Sequence, residues 1–332
     1  IICYNFSGDI MRRRKKNKKI NKIIGIVVAV IAVVSALYLG KDYVSYDEYI
    51  ANVETNAKQA AEKLTENFKS KEETNTPEAD GNLKVYFIDV GQADCILLVN
   101  NKSSMLIDAG NNEDGELVVN YIKSLGISKL DYVVGTHPHE DHIGGLDNVI
   151  NSFEIGEVYM PETTTNTKTY EDVLNAIANK NLQITVPKIG DKFNVGTAEA
   201  EVLSVKNDNV NLNNCSIVIR VVFGEKSFLF TGDAEEIVES KLKVKETTVL
   251  KVGHHGSSTS TSQTLLNKVN PKYAIISVGK NNDYGHPTKQ TLKRLQDAGC
   301  EIHRTDEEGT ILITTDGKDL KIEHFETKTN GN

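Results

Sequence analysis

One short stretch constrains this chain more than any other. Thr136-His137-Pro138-His139-Glu140-Asp141-His142 places four candidate metal ligands, His137, His139, Asp141 and His142, within six residues. Imidazole mixed with carboxylate is the donor set that suits zinc and similar divalent ions. The ligands begin where the apolar run 130–134 stops, and that run reads as a buried strand whose end carries a functional loop. In an extended segment alternate side chains point the same way, so His137 and His139 can grip one ion while Asp141 and His142 turn towards a second. A solvated polar loop with chance histidines would have to gather three of the eight histidines in the chain within six residues.

Further donors follow downstream. Asp233, in Phe230-Thr231-Gly232-Asp233-Ala234, ends an apolar strand and opens a helix, where an N-cap is the plain alternative. His254 and His255 follow the apolar run 249–252. One reads as a metal ligand and the other as a substrate contact or proton donor, and the sequence does not choose between them. Asp108 and Asp89 both end apolar strands, with turn capping an equal explanation for Asp89. His286, in a loop rich in Gly and Asn, is a candidate substrate contact.

The pattern H-x-H-x-D-H after a strand resembles the signature of the metallo-β-lactamase superfamily of metal-dependent hydrolases. Val90-Gly91-Gln92-Ala93-Asp94, the histidine loop, Asn214-x-Ser216, Thr231-Gly232-Asp233, His254-His255-Gly256-Ser257 and Gly285-His286-Pro287 come in the order of one subgroup. That subgroup is the exported domain of the ComEC-type DNA-uptake competence proteins and their stand-alone relatives. The resemblance runs over residues 83–325 and implies an αββα sandwich holding two divalent ions, Zn or Mn. It implies that His137 and His139 hold the first ion, and that Asp141, His142 and one of His254 or His255 hold the second. Asp233 would bridge them, with Asp141, Asp233 and His286 carrying the chemistry and Asp108 orienting the metal loop. One departure stands out, because many superfamily members carry another metal-binding His near Asn214, whereas no histidine lies between His142 and His254. Asn214, Ser216 or water would fill that place, and lactam hydrolysis becomes a weaker expectation.

Outside the domain, residues 23–40 form an uncharged apolar run just long enough to cross a hydrocarbon core. Residues 1–22 carry eight cations and one acid, +7, so the remainder carries −15 of the net −8. The basic flank stays cytoplasmic by the positive-inside rule and the rest is exported. A retained anchor is favoured over a signal cleaved near Val34-Ser35-Ala36, in which case the protein would be secreted. Residues 1–10, ahead of Met11, are assigned no role. Residues 41–82 read as a polar linker and 83–327 as the hydrolase domain. Cys95, Cys215 and Cys300 are odd in number and include no C-x-x-C pair, so no disulfide framework is expected, and Cys95 and Cys215 read as small core residues.

Helices are expected over 116–125, 170–179, 234–242, 262–269 and 288–298, among strands that include 83–89, 95–99, 105–107, 216–223, 227–230, 247–252 and 273–277. The expected function is a membrane-anchored extracellular hydrolase, a phosphodiesterase or nuclease. A bound divalent ion lowers the pKa of water from 15.7 to about 7 and stabilises charge on a phosphoryl oxygen. The substrate is a phosphodiester, with DNA one candidate, although the acidic exported part opposes a tight grip on duplex DNA. Cell-wall or choline-phosphate esters are the alternative substrates. A non-catalytic tethered binding module is the reading from another class. No protein partner is expected, and one apolar span gives no channel.

Overall fold

The computed structural model describes residues 81–206 and 211–326. The expected membrane span and the basic segment before it lie outside the described residues, and among those described no helix is long and apolar enough to cross a membrane. The chain opens with β1 (Leu83–Phe87), β2 (Ile96–Asn100), β3 (Ser103–Ile107), α1 (Gly115–Ser124), β4 (Lys129–Val134), α2 (Glu140–Ile143) and α3 (Leu146–Ser152). It continues through β5 (Glu154–Tyr159), α4 (Lys168–Asn179), β6 (Ile184–Thr185), β7 (Lys192–Val195), β8 (Ala198–Ser204), β9 (Val218–Phe223), β10 (Lys226–Phe230) and α5 (Glu236–Glu239). The last third holds β11 (Val249–Lys251), α6 (Gln263–Val269), β12 (Tyr273–Ile276), α7 (Lys289–Asp297), β13 (Glu301–Arg304), α8 (Thr305–Glu308), β14 (Thr310–Thr315) and β15 (Leu320–Phe325).

The central strands are apolar on both faces, so each sheet must be covered twice. One sheet has the order β15-β14-β1-β2-β3-β4-β5-β6, the other β13-β12-β11-β10-β9-β8-β7. Alternation along the strands decides what meets what. Leu83, Val85, Phe87, Ile96, Leu98 and Met105 of the first sheet share one buried cluster with Ile219, Val221, Phe228, Phe230, Val249 and Ile275 of the second. The side chains between them point outward, where Tyr86, Leu97 and Leu106 pack with Val118, Val149 and Val173 of α1, α3 and α4. On the far side Leu229, Leu250 and Ala274 pack with Val238, Leu266 and Leu295 of α5, α6 and α7. The result is the expected αββα sandwich.

Side-chain caps fix several helix starts: the hydroxyls of Thr167, Ser262 and Thr288 accept the amides of Tyr170, Leu265 and Thr291. The helix expected over 234–242 closes to Glu236–Glu239. Its physical reason is a competing partner, since Lys268 Nζ donates to the carbonyls of Glu239, Ser240 and Leu242 and stands in for the next helical turn. Cys95 and Cys215 are buried, as expected, and the described cysteines form no disulfide.

The two glycines that follow the histidine loop let it seat. A Cβ on Gly144 would lie 2.2 Å from the Asn111 carbonyl carbon and 2.3 Å from the Asn112 nitrogen. One on Gly145 would lie 2.4 Å from the Ala109 carbonyl oxygen. Backbone on both sides cannot retreat without moving the Asp108 strand end. Gly144→Ala is expected to destabilise the domain by about 1–3 kcal/mol through overpacking. Urea denaturation checks this, and an unchanged midpoint would contradict it.

Candidate active site

Every candidate donor sits where a strand stops. β3 pairs antiparallel with β2 but parallel with β4, and β10 pairs antiparallel with β9 but parallel with β11. Each sheet thus changes sense at one strand, and crevices outside the carboxyl ends of strands at such switch points are natural ligand sites. Asp108 follows β3, the histidine loop follows β4, Asp233 follows β10, and His254 with His255 follow β11. Backbone bonds tie these ends together: Asp94 N donates to Asp141 O, Ala109 N to His142 O, Ile217 N to Thr136 O and His254 N to Gly232 O.

Asp233 lies at the centre, almost fully buried. Its Oδ1 is 3.2 Å from His142 Nε2 and 3.9 Å from His255 Nε2, and its Oδ2 is 3.5 Å from His254 Nε2 and 3.9 Å from His137 Nε2. Asp141 Oδ2 stands 3.2 Å from His255 Nε2 and 3.9 Å from His142 Nε2. One donor atom from each of Asp141, His142, Asp233 and His255 lies within 4.8 Å of the others. On the other side of Asp233, His137 Nε2 meets His139 Nδ1 at 3.0 Å. Both His254 and His255 adopt left-handed backbone, φ 50° and 52°. That conformation is costly for residues with a Cβ, and here it accompanies two successive imidazoles that both reach Asp233.

The supporting contacts set the ring orientations. Asp108 Oδ2 accepts from His142 Nδ1 at 2.8 Å and from Thr136 Oγ1 at 2.7 Å, leaving His142 Nε2 directed at Asp233. The Thr136 hydroxyl lies 3.1 Å from His137 Nδ1 and turns that ring in the same way. Ser277 O accepts from His255 Nδ1 at 3.0 Å. Ser216 Oγ accepts from the Asp233 amide at 3.0 Å and lies 3.4 Å from His137 Nδ1. Asn214 is turned away, its Oδ1 accepting from the Glu235 amide at 3.2 Å. Asp89 Oδ1 accepts from Gly91 N at 3.1 Å, a turn-capping contact.

Two residues that motif reading gave no role complete the floor. Lys251 and Asp94 are both buried and pair at 2.8 Å, with Lys251 Nζ also donating to Val252 O. Asp94 Oδ1 lies 3.3 Å from His255 Nδ1, so the pair backs the His255 ring. Lys251 ends an otherwise apolar strand, and a lysine inside a buried β-run was the available signal.

The electrostatics call for a cation. Burial disfavours charge on His142, yet Asp233, Asp108 and Asp141 outweigh it and hold the ring well above its ordinary pKa. Burial works against His255 as well, but Asp233 and Asp94 push it up to about 10. Burial, helped by His142, instead drives His137 well below its usual value. His142 Nε2 and Asp233 Oδ1 are buried and face each other without a hydrogen bond. Orphaned nitrogen and oxygen donors converging among buried carboxylates fit a divalent cation, whose binding would displace the ring protons.

The rim is aromatic and acidic. His286 is half-buried, its ring 5.7 Å from that of His254 and 5.8 Å from that of the exposed Tyr284. A cleft of about 560 Å³ beside Asp141 is lined by Asp89, Glu113, Asp114, Glu140 and Asp306, with Lys280 the one cation among its described residues.

The sequence model described as Metallo-beta-lactamase superfamily matches residues 88–280. This chain belongs to that superfamily. It is 32% identical over 252 residues to ComE operon protein 3 of Bacillus subtilis, 69% of this chain and 32% of that protein. It is 30% identical over 249 residues to Recombination protein 2 of Haemophilus influenzae, 73% of this chain and 30% of that protein. Competence protein ComA of Neisseria gonorrhoeae follows at 29% over 242 residues, 71% of this chain and 32% of that protein. The ComEC-type likeness read from the motifs therefore holds across most of the chain, which spans about a third of the length of these relatives. Among solved structures, the metallo-beta-lactamase fold protein YhfI from Bacillus subtilis aligns with a TM-score of 0.47 at 12% identity, covering 70% of this chain and 99% of that one.

Within this superfamily site, Lys251→Met would leave the Asp94 carboxylate buried without its ion partner. Loss of roughly 3–5 kcal/mol is expected in urea denaturation, with much of it regained in the Lys251→Met/Asp94→Leu double variant. A single variant as stable as the parent would contradict the pairing.

Proposed function

We propose that this metallo-beta-lactamase-fold hydrolase cleaves phosphodiesters with a pair of divalent ions, Zn or Mn, and acts on the outer face of the membrane, anchored by residues 23–40. One observation carries the reading: the two oxygens of Asp233 face two separate groups of histidines, His142 with His255 and His137 with His254. A carboxylate so placed would be able to contact both ions of a two-metal site.

In this reading Asp141, His142 and His255 would hold one ion and His137, His139 and His254 the other. His254 would supply the donor that is missing near Asn214. When bound, such ions make a nucleophile available from water at neutral pH and neutralise charge on a phosphoryl oxygen. The residues of the chain do the rest. Asp108, Ser216 and the Asp94–Lys251 pair hold the ligands in place, burial keeps bulk water from the floor, and the half-buried His286, beside His254 at the rim, would meet the substrate.

Nucleic acid is the leading substrate, because two of the relatives bear names that refer to recombination and competence. The carboxylate-lined cleft opposes a non-specific grip on duplex DNA and favours a strand engaged mainly at the metal centre. The same cleft, with Tyr284 on its wall, supports a second reading. A cationic ester such as one of choline phosphate would find both countercharge and an aromatic face there.

Hydrolysis of a chromogenic phosphodiester, of single- and double-stranded DNA and of a choline-phosphate ester, each with Mn or Zn, tests the proposal. Metal-dependent turnover is expected, with Asp233→Ala reducing it by at least about a hundredfold. Single-stranded DNA should be cut faster than duplex. No turnover on any substrate by metal-loaded protein would overturn the phosphodiesterase reading, and equal turnover by Asp233→Ala would overturn the bridge.

A further inference from the structure

A second convergence of metal-ligand chemistry lies away from the catalytic crevice, at the edge shared by the two sheets. β13 is the last strand of the seven-stranded sheet and β15 the last strand of the eight-stranded one. α8 is the connection that carries the chain from β13 across to β14. Each of these three elements contributes one donor: His303 from β13, Glu308 from the end of α8, and His324 from β15.

Both imidazoles present Nδ1 to the same carboxylate oxygen, Glu308 Oε2, at 2.9 Å each. The three donor atoms lie within 4.8 Å of one another, and the rings stack at 5.7 Å between centroids with 29° between planes. Tetrahedral coordination at about 2.0–2.1 Å from the metal puts its ligands a little over 3 Å apart, close to the 2.9 Å that separates each imidazole nitrogen from the Glu308 oxygen. An independent feature fixes the ring of His303. Its Nε2 lies 3.2 Å from Glu301 Oε1, and a carboxylate accepting the far N–H of a ligating histidine directs the other nitrogen's lone pair to the metal.

The geometry points to a peripheral zinc site formed by His303, Glu308 and His324, oriented by Glu301 and closed by solvent. Two histidines and one glutamate make a three-ligand zinc set, and the 45% exposure of the His324 side chain leaves the fourth position open to water. The site joins the end strands of the two described sheets through the crossover between them, so its ion acts as a clip rather than as a catalyst. Binding replaces ring protons and ties β15, which among the described residues pairs only with β14, to the opposite sheet.

Zinc bound per chain, measured by atomic emission after desalting, and the zinc-induced change in melting temperature test this in the full chain. The comparison is between the parent and His324→Gln, with Glu308→Gln as a second variant because His324 is on the final strand. One fewer zinc per chain and loss of the stabilisation contributed by that ion are expected in each variant, with Mn-dependent hydrolysis unchanged. The difference is read against the parent, so it stands whatever number of ions the catalytic crevice holds. Equal zinc content and equal stabilisation in parent and variants, or saturation of the ion that the variants lose only at millimolar zinc, would overturn the site.

Discussion

The organisation of the domain depends on placing buried carboxylates opposite buried imidazoles at the ends of strands. Asp94, Asp108 and Asp233 are each about 1% exposed. Isolated charges in such surroundings would be expensive. Asp94 is met by Lys251 and Asp108 by Thr136 and His142, whereas the Asp233 carboxylate faces a ring of four histidines, His142, His255, His137 and His254. That ring of imidazoles marks the position where a divalent cation would displace the ring protons.

The fold follows from the need to hold those ends still. Strands apolar on both faces force two sheets into contact and helices onto their outer sides, which fixes the strand termini against a close-packed interior. Each sheet then changes from antiparallel to parallel pairing at one strand, β3 or β10, and the loops that leave there converge. Glycines at 144 and 145 allow the histidine loop to lie against the Ala109–Asn112 backbone, so the motif and its seat are parts of one packing arrangement.

Much of this was legible in the sequence because the informative residues are chemically unusual where they occur. Three histidines in six residues, an aspartate closing an apolar strand and paired histidines closing another locate the crevice before any coordinates are known. Apolar runs likewise located most central strands. What stayed hidden depends on distant partners. The short β6 and the polar edge strand β7 carry too few apolar side chains to stand out, and α3 is only seven residues long. The early end of α5 depends on Lys268, far along the chain. The roles of Lys251 and Asp94 appear only once β11 is laid beneath the 91–94 turn. The different contacts of His254 and His255 depend on two successive left-handed residues, which local sequence does not announce. The anchor and the charge asymmetry of residues 1–22 concern a part of the chain outside the described residues.

The acidic balance of residues 23–332, the carboxylate-lined cleft and the superfamily site together support the proposal of a hydrolase that engages its substrate mainly through its ions. Anomalous diffraction from crystals soaked in manganese tests that account most directly. Two peaks are predicted, one on each side of the Asp233 carboxylate, the first bounded by Asp141, His142 and His255 and the second by His137, His139 and His254. A single peak, or two peaks with Asp233 ligating neither, would contradict it.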